Sequence, residues 1–178
     1  MGRSRYKIYE PTHPHFVTCT VLHWLPLFTN RDSVQIILDS LTYLQKSDDI
    51  SKTMQKFKSY TAFELLKLLE KNNASTLLKQ FAFHKKAHRK ENSYQIWEEG
   101  FHPKLIQSEQ MMFEKINYIH HNPVKRGFVD DPEHWRYSSA RDYKGHRGLV
   151  MLRHRGLVML MLPYPKTNLK KGETRCNT

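Results

Sequence analysis

The chain has 178 residues, 39% of them hydrophobic and 12% aromatic, which suits one domain with a buried core and excludes a disordered polymer. Its 29 Lys and Arg against 17 Asp and Glu leave a formal charge of +12, a field that attracts polyanions, nucleic acid foremost. Two cysteines far apart, Cys19 and Cys176, exclude a disulfide framework and a CxxC metal knuckle, and no uncharged apolar run approaches the roughly 18 residues of a membrane span.

The opening "MGRSRYKIYEP" is basic and lacks the apolar stretch of a signal peptide, so a cytoplasmic protein is expected. Residues 15–25, "HFVTCTVLHWL", are rich in β-branched and aromatic side chains and read as a strand running towards Pro26. From Arg31 to Gln45, Val34, Ile37, Leu38, Leu41 and Leu44 recur at helical spacing. A second apolar face follows at Ile50, Met54, Phe57, Ala62, Leu65, Leu66 and Leu69, with Ser47 to Asp49 as candidate N-caps.

A basic hinge, "HKKAHRKENS" at 84–93, leads into "YQIWEEGFHPKLI", a short extended segment. Ser108 can cap a third helix whose apolar positions Met111, Met112, Ile116 and Ile119 run on to Pro123, read as its stop. "DDPEHWRYSSARDY" has the pattern of a turn and a short helix. Beyond it, "HRGLVMLR" at 146–153 is followed by "HRGLVMLM" at 154–161, too few units for a solenoid and best read as a local duplication. The expected organisation is a domain over 1–145 and an atypical tail over 146–178.

The chemistry concentrates in 114–131. Tyr118 and Asn122 are four residues apart and share a helix face. A phenol could attack a phosphodiester there, while Lys125 and Arg126 grip neighbouring phosphates. The bland alternative is a core tyrosine followed by an ordinary helix stop. Lys52, Lys56 and Lys58 add charge on the second helix.

"MGRSRYKIY", "MQKFKSYTAFEL", "IWEEGFHPKLI", "INYIHHNPVKRGFV" and "PEHWRYSSARDY" occur in an order that resembles the REP-associated tyrosine transposases, single-tyrosine members of the HUH group. The resemblance implies an α+β, ferredoxin-like domain with an antiparallel sheet that cuts and rejoins single-stranded DNA beside hairpins. It implies Tyr118 as the nucleophile forming a 5′-phosphotyrosine link, Asn122 as a ligand of Mg²⁺ or Mn²⁺, and single-stranded or hairpin DNA as the partner of a possible homodimer. Contact with DNA is assigned to Lys52, Lys56, Lys58, Lys125 and Arg126.

One departure stands out. The family carries its metal-binding His-hydrophobe-His motif on a central strand between the first two helices. Here "LTYLQKSDDISKTMQ" joins those helices directly, so the sheet is expected to be incomplete and its first strand to lack neighbours. Other histidines offer substitutes: His13 and His15 flank a proline, His84 and His88 are four apart among lysines, and His120 and His121 adjoin the tyrosine. An active transposase, a non-catalytic DNA-hairpin-binding remnant and a chain that does not fold stably all remain open at this point.

Overall fold

The computed structural model describes residues 13–44 and 49–149, of 42–44 the backbone alone. Ser47 as a cap, Cys176 and most of the tail repeat fall outside them. The chain is mixed α and β. β1 (His15–Thr18) leads through two single 3₁₀ turns to α1 (Arg31–Leu44), α2 (Ile50–Lys71), α3 (Ser75–Phe83), β2 (His102–Leu105), α4 (Glu109–Lys125) and α5 (Ala140–Tyr143).

β1 and β2 pair antiparallel, His15 opposite Leu105 and Thr18 opposite His102. The first strand therefore has a neighbour, although the sheet has two strands among the described residues. Successive side chains of a strand point to opposite faces, and β1 uses both. Val17 joins the main core with Val34, Ile37, Phe57, Leu65 and Phe81, while Phe16 joins Ile106 and Ile119 under α4. The sheet thus separates the α1–α3 layer from the helix that carries Tyr118.

The strand expected over 15–25 is shorter. Pairing stops at Thr18, resumes as one bridge between Val21 and Trp97, and ends at His23 and Trp24, both left-handed at φ 50° and 56°. Two residues lie between the paired stretches on one side and four on the other, so 98–101 bulges, with Gly100 at φ 69°. The Lys58 ammonium closes this bulge. It donates to the carbonyls of Glu98 (2.6 Å) and Gly100.

α1 starts where Asn30 Oδ1 accepts from Asp32 N at 2.8 Å, and α2 where Asp49 Oδ1 accepts from Lys52 N at 3.0 Å. That backbone N–H holds the Asp49 carboxyl below its usual range. α2 ends in Asn72 and the left-handed Asn73, with Ala74 N donating to Leu69 O and Asn73 N to Glu70 O. The chain then re-enters helix at once as α3, which the sequence reading passed over. Inside, the Trp97 indole donates to Thr61 Oγ1 at 3.0 Å and Thr61 donates to Phe57 O at 2.7 Å. Burial pushes the Cys19 thiol up to about 11, so Cys19 is core.

Candidate functional site

α4 builds the surface that carries Tyr118. Ser108 Oγ accepts from Met111 N at 3.2 Å, fixing the start of the helix. Ile116 and Ile119 turn inward, which leaves Tyr118 between them in sequence but 42% exposed. Pro123 does not stop the helix, which runs on to Lys125. A proline removes its own bond to the fourth preceding residue and crowds that residue's carbonyl, and here both costs fall in the final turns. The end is made by Gly127 at φ 72°: Gly127 N donates to Val124 O (2.9 Å) and Phe128 N to Pro123 O (3.0 Å). Lys125 and Arg126 are thereby fixed at the helix end.

The Tyr118 ring meets Phe16 of β1 edge-on, with centroids 6.3 Å apart. Two ammoniums flank it. Lys115 Nζ lies 5.9 Å from the ring centroid and Lys125 Nζ 6.0 Å. Lys115 was not singled out in the sequence, although its place one turn before Tyr118 was the available signal. Arg126 lies over the Trp24 ring at 5.7 Å, so the left-handed turn after β1 touches the end of α4.

The five basic candidates do not share one environment. Lys125 is exposed beside Tyr118 and Arg126 is exposed over the Trp24 ring; Lys52 and Lys56 are exposed on α2, Lys52 with Asp49 Oδ2 at 3.3 Å. Lys58 is half-buried with its ammonium on the bulge carbonyls, and burial lowers its pKa. A lysine so engaged serves the fold before it serves a phosphate.

The histidines are dispersed. His15 is buried and its Nδ1 donates to His13 O at 2.8 Å. His84 ends α3 and stacks on His23 at 3.9 Å, whereas His88 lies beyond the helix against Glu99 at 2.5 Å, so the two do not share a helix face. Burial pushes Glu99 up, but hydrogen bonds from Arg89 and His88 outweigh it and hold the carboxyl low. His121 Nδ1 donates to Asn117 O at 2.9 Å. His120 is buried against Ser139 Oγ at 2.9 Å, and burial, aided by His121, lowers its pKa.

Among the described residues no three His, Cys, Asp or Glu side chains converge as ligands for an ion. Asn122, half-buried on α4, offers one neutral oxygen, whereas hard divalent cations take several oxygen ligands, commonly carboxylates. Among the described residues that donor set does not fit Mg²⁺ or Mn²⁺. What the surface does offer is an exposed phenol flanked by cations, suited to a phosphodiester backbone.

No family model and no solved structure matches the chain. A protein of Haemophilus influenzae named "Putative REP-associated tyrosine transposase" is 40% identical over 50 residues, 28% of this chain and 28% of that protein. The similarity thus spans less than a third of either chain. No helix among the described residues is long and apolar enough to cross a membrane.

Proposed function

We propose that the chain is a transposase-like DNA-binding protein of the REP-associated type, descended from a ferredoxin-like ancestor, that engages single-stranded DNA beside hairpins through its 1–145 unit. The observation that carries this reading is the Tyr118 phenol, exposed on α4 between the Lys115 and Lys125 ammoniums. The partial similarity to a protein named as such a transposase supports it. In the reaction, Tyr118 Oη forms a bond to phosphorus, the bond from phosphorus to the 3′ oxygen breaks, and the phenolic proton ends on that departing oxygen. The flanking ammoniums stabilise charge on the phosphate as it passes through the transition state.

The second reading is a remnant that binds hairpins without cutting. The poor fit of the donor set to a divalent ion favours it, because such an ion would otherwise stabilise several kcal/mol of developing charge. Incubating the protein with a labelled hairpin carrying a single-stranded flank, with and without Mn²⁺, separates the two. A band retarded on a denaturing gel, lost in Tyr118→Phe while native-gel binding persists, supports cleavage. An adduct that survives Tyr118→Phe removes the residue from the chemistry, and binding without adduct selects the remnant. A cytoplasmic location and a homodimeric state belong to the same proposal.

A further inference from the structure

The turn after β1 has a feature the proposed chemistry does not use. His23 and Trp24 are consecutive aromatic residues held in the left-handed region, φ 50° and 56°, where non-glycine residues are uncommon. The conformation turns both rings towards neighbours from other elements. His23, exposed, stacks on His84 at 3.9 Å with the planes 20° apart, and His84 meets the exposed Phe83 edge-on at 5.0 Å. Trp24 is half-buried under the Arg126 guanidinium. Arg126 in turn adjoins Lys125, whose ammonium lies on the Tyr118 ring.

Three contacts, Tyr118 with Lys125, Arg126 with Trp24 and His23 with His84, are joined by adjacency in sequence at 125–126 and 23–24, so that cations and ring faces follow one another. Tyr118 and Arg126 are eight residues apart, about 12 Å along a helix at 1.5 Å per residue. Single-stranded nucleic acid is bound where a basic groove tracks the backbone and aromatic faces receive successive bases. We propose that the 23–24 turn is a stacking platform for an unpaired base flanking the Tyr118 position. The base continues the His23–His84 stack or lies on Trp24, and Arg126 holds the adjoining phosphate. The inference rests on the DNA-binding reading and assigns its subsite for the single strand.

The test uses fluorescence anisotropy with a labelled single strand and with the same strand made abasic. The protein is expected to bind the base-bearing strand about tenfold more tightly, and His23→Gly or Trp24→Gly to bring the two affinities together. Glycine adopts the left-handed backbone without strain, so His23→Gly, at an exposed position, should melt no earlier than the parent. Trp24→Gly removes a half-buried ring, should melt earlier, and is compared with the parent well below both melting points. Arg126→Gln, at an exposed position, should lower the salt slope by about 0.7 and leave the base preference intact. Equal affinities in the parent, a preference that survives both glycine variants, or an unchanged slope in Arg126→Gln overturns the platform while DNA binding stands. Absence of salt-dependent binding to either strand overturns the DNA-binding reading and the platform with it.

Discussion

The Lys58 ammonium reaches 40 residues along the chain to donate to the Glu98 carbonyl at 2.6 Å, and it also donates to the carbonyl of Gly100. Two backbone acceptors of a bulge that would otherwise lack a ladder partner are satisfied by one side chain from α2. Lys58→Met keeps much of the stem's packing and removes the donor. Unfolding stability is expected to fall by about 2 kcal/mol, the usual range for hydrogen bonds to a charged group, read from urea denaturation. The salt slope of DNA binding should not change. A shallower slope with an unchanged melt would return Lys58 to the DNA-contacting set.

Lys125 is the contrasting case. It is exposed at the end of α4, its ammonium 6.0 Å from the Tyr118 ring centroid. Lys125→Ala should leave the unfolding free energy from urea denaturation within about 0.5 kcal/mol of the parent. On single-stranded DNA it should reduce the slope of log affinity against log salt by about 0.7, one phosphate contact's worth. An unaltered slope places the backbone elsewhere.

These two lysines show what was legible in the sequence. Both are basic residues in family-like segments, and nothing local distinguishes them. Their difference comes from a bulge made by residues 98–101, a long-range feature. The helices were readable where apolar spacing is long and capped, as in α2 behind Asp49 and α4 behind Ser108. α3 was missed because Leu77, Leu78 and Phe81 give it barely one turn of pattern after the Asn72–Asn73 end of α2. The strand from His15 is shorter than its composition predicts because β-branched and aromatic letters do not reveal two left-handed residues. Pro123 looked like a stop, yet the end is written in Gly127. Tyr118 and its basic neighbours were visible as letters, Lys115 by its helical spacing, whereas Phe16 and Trp24 joined them only through packing.

His120 sets a pH dependence. Burial, with help from His121, lowers its pKa, while Asp142 opposes the shift. The unfolded chain takes up a proton near pH 6.5, and the folded one resists until the pH is lower. The contribution is therefore complete above about 6.5 and is lost as pH falls from there towards the depressed folded value. Asp49 and Glu99, held below their ordinary range, lose their contributions only at more acid pH. Urea midpoints should drop between pH 7 and pH 5, and His120→Gln should flatten that drop. An equal drop in both proteins assigns the effect to other histidines.

Gly127 links the fold to the candidate site. Its φ of 72° places its own N–H on Val124 O and the next on Pro123 O, and no atom stands within 4 Å of where a Cβ would be. Gly127→Ala therefore meets no clash, and its cost is conformational, roughly 1–2 kcal/mol for an L residue in the left-handed region. Gly127→Asn should cost less, because asparagine visits that region more readily. The same turn fixes Lys125 beside Tyr118 and Arg126 over Trp24. If the alanine variant relieves its strain by unwinding the last helical turn, affinity for single-stranded DNA should fall with stability, and Gly127→Asn should recover both together. Stability lost with affinity intact would show that the helix end does not position the basic pair for DNA.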